Sequence, residues 1–138
     1  MMTTYSSGLS FYCFNFQLLH GDFMKKYVTL KENREFQRLY HKGKSFVSPV
    51  LVTYVLKNRN NNLRFGITTG KKVGKAVLRS RARRVIRAAY FELYEDLNNG
   101  FDFVFVARGK TPFVKSTQIK KAMQEHFKKA GVLKNQQK

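Results

Sequence analysis

The 138-residue sequence contains one cysteine, two prolines, no tryptophan and only eight acidic residues. A single thiol, Cys13, builds neither an internal disulfide framework nor a multi-cysteine zinc site. It leaves the expectation of a reducing, cytoplasmic setting. No stretch reaches the roughly 18 consecutive apolar residues of a spanning helix, so no such helix is expected. After Met24 the acids are Glu32, Glu35, Glu92, Glu95, Asp96, Asp102 and Glu125, and the histidines fall at His20, His41 and His126. They form no HExxH and no Ser/His/Asp pattern, and the Glu92, Glu95 and Asp96 cluster at the end of the long helix reads as solvated ahead of a metal site. The phosphate-cradling GxxxxGK[ST] pattern is missing as well, which disfavours nucleotide hydrolysis. No catalytic residue and no metal ligand is assigned to the chain.

What the sequence has is positive charge. Lys and Arg total 27, giving a net charge of +19. An excess of this size points to a polyanionic partner, nucleic acid before an anionic membrane. All of the basic residues follow position 23. The opening segment, MMTTYSSGLSFYCFNFQLLHGDF, lacks the basic start of a signal peptide. Residues 1–23 read as a disordered apolar extension or as sequence upstream of a true start at Met24, and composition favours the second. Residues 24–138 are expected to form one domain, with nine of the 13 Phe and five of the 7 Tyr available for its core.

Periodicity divides that domain. Phe36, Leu39 and Tyr40 recur at helical spacing, predicting a helix over 29–42 that stops at Gly43. SFVSPVLVTYVL (45–56) reads as a strand that Pro49 bends or places at an edge. KNRNNN turns. LRFGITTG (63–70) alternates, with Leu63, Phe65 and Ile67 facing a core and Arg64, Gly66 and Thr68 facing away. A loop around Gly74 leads to a long helix over 76–97. FDFVFVAR (101–108) is a third strand. Residues 115–129 form a last helix with Ile119, Ala122, Met123, His126 and Phe127 inward, followed by a loose KNQQK tail. Helix, strand, strand, helix, strand, helix describes an α+β two-layer sandwich.

Residues 71–90, KKVGKAVLRSRARRVIRAAY, hold eight basic side chains and no acid. At about 100° per residue, Leu78, Ala82, Val85, Ile86, Ala89 and Leu93 make one apolar stripe. Arg79, Ser80, Arg83, Arg84 and Arg87 lie on the face turned from it, with Arg81 further round. A merely solvated face would mix signs to gain i,i+4 pairs, and this one has no acid before Glu92. Guanidinium also offers a planar fork suited to phosphate. Polyanion binding is the better reading, ahead of simple solvation or a localisation signal in RSRARR. Lys71, Lys72 and Lys75 add charge where the helix N-terminus presents free N–H groups. Phe36, Tyr40 and Tyr54 read either as core or as a groove on which unpaired bases stack, with Arg64 and Thr68 supplying phosphate contacts beside them.

Three segments, LKENREFQRLYHKGKS, LRFGITTGKKVGKAVLRSRARRVIR and FDFVFVAR, together resemble the bacterial protein subunit of ribonuclease P, over about Lys25 to Lys134. The resemblance implies a ribosomal-protein-S5-domain-2-like fold with a left-handed βαβ crossover through the long helix, where sequence physics alone would favour a right-handed one. It implies a ribonucleoprotein that removes the 5′ leader from precursor tRNA, with catalysis and Mg²⁺ in the RNA subunit and no cofactor on the protein alone. The partners would be that RNA and precursor tRNA. The family's arginine-rich signature maps onto Arg79, Ser80 and Arg81, followed by Arg83, Arg84 and Arg87; its cleft aromatics map onto Phe36, Tyr40 and Tyr54, and its paired lysines onto Lys71 and Lys72. Ser80 stands where the family usually has Asn, and Gly70 where it has Ser. A ribosomal or general RNA-binding protein, which needs no aromatic cleft, is the alternative; a self-sufficient nuclease would need clustered acids or histidines.

Overall fold

A computed structural model describes residues 27–134. The extension expected over 1–23 and the tail from 135 onward lie outside the described residues. Five strands form one sheet: β1 (Val28–Thr29), β2 (Lys44–Val47), β3 (Leu51–Lys57), β4 (Leu63–Thr68) and β5 (Phe101–Ala107), in the order β1-β4-β5-β3-β2. Three helices accompany them: α1 (Asn33–Lys42), α2 (Ala76–Leu93) and α3 (Ser116–Ala130). β4 and β5 are parallel neighbours joined through α2, so the βαβ unit implied by the resemblance is present. β5 pairs antiparallel with β3, and β3 with β2.

Alternation along β5 sorts the two sheet faces. Phe103 and Phe105 point into the main core against Ile86, Ala89, Tyr90 and Leu93 of α2 and Ile119, Met123 and Phe127 of α3. Val104 points the other way, into a smaller cluster with Leu30 and Leu39, which Phe36, Tyr40 and Tyr54 half-cover. Two helices and the sheet thus make the α+β sandwich, and α1 lies across the second face. The last helix buries Ile119, Ala122, Met123, His126 and Phe127, the five positions its periodicity selects. In α2 the apolar stripe is broader than the aliphatic pattern indicated. Tyr90 is fully buried, its ring packed at tilted and edge-on angles among Phe65, Phe103 and Phe105.

Three boundaries differ from expectation. The first helix begins at Asn33, because Val28–Thr29 pair in parallel with Arg64 and Phe65 and Leu30 N–H extends that ladder to Phe65 O at 2.8 Å. Glu35 then accepts from the N–H groups of Lys31 and Glu32, each at 3.1 Å, and fixes the start of α1. The segment 45–56 is two antiparallel strands. Proline supplies no ladder donor, and around Pro49 the chain reverses, Ser48 N–H donating to Leu51 O at 2.8 Å and Leu51 N–H to Ser48 Oγ at 3.1 Å. That places β2 at the sheet edge. The long helix ends at Leu93, followed by a single 3₁₀ turn, Tyr94–Asp96.

Candidate nucleic-acid interface

The interface is built outward from the end of β4. After Thr68 the chain makes a 3₁₀ turn, Lys71–Val73, whose Val73 is buried as a plug while Lys71 and Lys72 are exposed. Gly74 follows at φ 135, a backbone conformation that L side chains rarely adopt, and a Cβ there would meet Leu78 Cδ1 at 2.6 Å. The glycine therefore lets the chain fold straight onto α2. Lys75 occupies the N-cap position and no side chain caps the helix, so its first N–H groups stay open beside three exposed lysines.

The arginines of α2 stand in two rows rather than on one outward face. Arg79, Arg83 and Arg87, one turn apart, are half-buried. Arg83 donates from Nη1 to Thr69 Oγ1 at 2.7 Å and from Nη2 to Ser80 Oγ at 3.3 Å. That fixes its fork against the end of β4 and gives Ser80 an internal partner. Arg87 Nε is buried without a hydrogen-bond partner. Burial first, and the neighbouring Arg83 charge second, lower the Arg87 pKa. On the opposite flank Arg81 and Arg84 are exposed, and Arg81 Nε donates to Pro112 O at 2.6 Å. The ion pairs among the described residues join Arg34 to Glu32, Arg64 to Glu35 and Asp102, and Lys120 to Glu92; none involves an arginine of α2.

Across the sheet, the aromatic residues do converge. Tyr40 and Tyr54 meet edge to face with ring centroids 5.0 Å apart, and Tyr40 Oη shares a hydrogen bond of 2.9 Å with Thr68 Oγ1. The Phe36 ring lies over Gly66, where a Cβ would fall 2.5 Å from Phe36 Cζ. All three rings are half-buried above Leu39 and Val104, so they are at once the lid of the small core and a surface open to a ligand. The consecutive residues Thr68 and Thr69 connect the two sites: the first bonds Tyr40 in the cleft, the second Arg83 on α2.

Arg64 corrects the sequence reading. It does point to the cleft side, but its guanidinium is already engaged. Nε and Nη2 donate to the two oxygens of Asp102 at 2.9 and 2.6 Å, and Nη1 donates to Glu35 Oε1 at 2.7 Å. Asn58 Nδ2 adds a bond of 2.7 Å to Asp102. The Asp102 bond raises the Arg64 pKa against the effect of burial. The Glu32 N–H, then the Lys31 N–H and Arg64, hold the Glu35 carboxyl below its usual range despite partial burial. A cation held by two carboxylates is no phosphate anchor. Arg64 ties α1 to β4 and β5. The available signal was Asp102, a lone acid in an apolar strand, which needs a buried cation to be there.

Sequence reasoning also passed over Phe113, a large apolar side chain 70% exposed, and Arg108, whose Nη1 donates to Ser48 O at 3.1 Å. Among the described residues no three His, Cys, Asp or Glu side chains come together as a metal-holding group. No described helix is long and apolar enough to cross a membrane.

A family model described as Ribonuclease P matches residues 24–131. The chain is 39% identical over 104 residues to the ribonuclease P protein component of Clostridium botulinum, covering 75% of this chain and 94% of that one. It is 38% identical over 113 residues to the counterpart in Oceanobacillus iheyensis, covering 81% and 93%. Among solved structures, the Staphylococcus aureus RNase P protein superposes with a TM-score of 0.69 at 31% identity, covering 78% of this chain and 99% of that one. The Thermotoga maritima RNase P protein gives 0.65 at 26%, covering 73% and 96%.

Proposed function

The chain belongs to the ribonuclease P protein family, and from that premise we propose how its surfaces divide the work of the holoenzyme. It serves as the protein subunit of the ribonucleoprotein that removes the 5′ leader from precursor tRNA. In our reading, α2 and its entry loop grip the RNA subunit. Lys71, Lys72, Lys75, Arg79, Arg81, Arg83, Arg84 and Arg87 answer phosphates, and the Ser80 hydroxyl orders Arg83. Phe36, Tyr40, Tyr54 and Thr68 form the cleft that takes the unpaired leader. Stacking there tolerates any base sequence, as a subunit acting on many precursors requires.

The observation that carries this division is that, among the described residues, no carboxylate pairs with an α2 arginine, although two of those arginines repel each other half-buried. Such charge is stabilised when phosphates arrive. We further propose that catalysis and the Mg²⁺ ions reside with the RNA, the protein screening phosphate repulsion and holding the leader in register. The leader cleft, on the sheet face opposite α2, separates this reading from a general RNA binder.

The test is precursor-tRNA cleavage at low Mg²⁺ by protein alone, RNA subunit alone and the two together. Strong enhancement only on mixing is the expected result. Cleavage by protein alone would indicate a nuclease, and mixing without effect would indicate a general binder.

A further inference from the structure

Between α2 and the start of α3 lies an open depression of about 460 Å³. Its floor is apolar, formed by Val85, Ala88 and Val114. Arg81, Arg84 and Lys115 stand around it, and no acid lines it. Arg84 and Lys115 are exposed, while Arg81 Nε is anchored on Pro112 O at 2.6 Å and so fixes the wall formed by the 111–115 segment. Phe113 lies in that segment between Pro112 and Val114 and is 70% exposed; Val77, one turn before Arg81 on α2, is 77% exposed. Phe113 does not itself line the depression and adjoins it through its neighbour Val114. The volume falls in the range of small-molecule sites, roughly 300–1,000 Å³. An apolar floor with a cationic rim suits a ligand that is flat and apolar at one end and anionic at the other.

We propose that this depression is a second nucleotide site. It takes an unpaired nucleotide of the RNA subunit, the base on the Val85–Ala88–Val114 floor beside Phe113 and the phosphate against Arg84 and Lys115. The assignment to the subunit RNA rests on the functional reading above. Arg81 and Arg84 belong to the helix that grips that RNA, and the leader cleft opens on the other face of the sheet. Charge alone would serve any phosphate, whereas the floor and Phe113 select an extrahelical base over a smooth duplex. Exposed aromatics and arginines of this kind carry single-strand recognition elsewhere.

Three variants test the site in the full chain: Ala88→Leu, which fills the floor without changing charge, Phe113→Ala, which removes an exposed ring, and Lys115→Gln. Affinity for the RNA subunit is measured across salt concentrations, alongside affinity of the assembled holoenzyme for leader-bearing and leaderless tRNA. Ala88→Leu and Phe113→Ala should each weaken subunit binding about tenfold with an unchanged salt slope, and Lys115→Gln should lower the slope by about one. Ala88 and Phe113 are both exposed, so thermal melts should match the unsubstituted chain. Loss in Lys115→Gln alone would reduce the site to a phosphate contact and overturn the proposal. Loss confined to leader-bearing substrate would move the occupant to the precursor and overturn it equally. If the unsubstituted protein did not bind the RNA subunit, the functional reading itself would fail, a distinct result.

Discussion

His126 lies on the buried face of α3, with its Nδ1 sharing a hydrogen bond of 2.9 Å with Thr53 Oγ1 and its ring stacked on Phe46. Burial lowers its pKa from the ordinary 6.5, Lys129 lowers it further, and Glu125 opposes them. The folded chain therefore holds this proton more weakly than the unfolded chain does. The resulting stability is complete above about pH 6.5 and is lost as pH falls through that value toward the lower folded pKa. Urea midpoints should drop between pH 7 and 5, and His126→Gln, which keeps a polar partner for Thr53 but cannot titrate, should flatten that drop. A midpoint independent of pH in this window would remove His126 from the argument. Tyr54 works at the same scale with a functional readout. Tyr54→Ala should weaken leader-bearing substrate by about 1–3 kcal/mol, the worth of one stacked base, and leave leaderless tRNA unchanged. Equal losses for both would contradict the cleft.

At the scale of elements, the cleft depends on how α1 is seated, and the seat is the Glu35–Arg64–Asp102 clamp. The Asp102 side chain is 3% exposed in the pair with Arg64, so its charge relies on Arg64. Arg64→Met strands that carboxylate and should destabilise the fold by about 3–5 kcal/mol, the usual cost of removing one partner from a buried pair. Glu35→Gln keeps the Asp102 pair and releases only the helix; leader affinity should fall while the melting temperature changes little. The clamp also shows where the sequence stops being readable. Alternation placed Arg64 opposite Phe65 correctly. Its partners are 29 and 38 residues away, and no local pattern brings them together. The five inward positions of α3 and the strands flanking α2 were legible, because helical and alternating periods report burial directly. The two-residue β1 was not, since a strand that short has no period of its own and exists only through β4. The split at Pro49 was half legible: a proline signals an interruption without saying whether the chain bends or reverses. The arginine helix was found from charge and spacing, but its division into two rows needed the neighbours, Thr69 on one side and Pro112 on the other.

For the whole molecule, a net charge of +19 disfavours the compact state of the free protein and favours the complex. Arg87 concentrates that conflict. Its Nε is buried and unpartnered, and its charge faces that of Arg83. An unmet buried donor costs roughly 1–3 kcal/mol; the low end applies because the group is only half-buried. Arg87→Met keeps the apolar stem and removes both the unmet donor and the repulsion. Free protein carrying it should be more stable by about 1 kcal/mol, a rise of roughly 4 °C in melting temperature for a domain of this size. RNA-subunit affinity should move the other way. Each phosphate contact contributes about 0.7–0.9 to the slope of log K against log salt, so Arg87→Met should reduce the slope by about one. The pair Arg83→Ala with Arg87→Met should reduce it by nearly two. A side chain retained only for packing would lose stability and binding together when replaced. One retained for RNA loses binding while the free fold gains, and a fall in both quantities for Arg87→Met would return that residue to the core and leave the gripping row one member shorter.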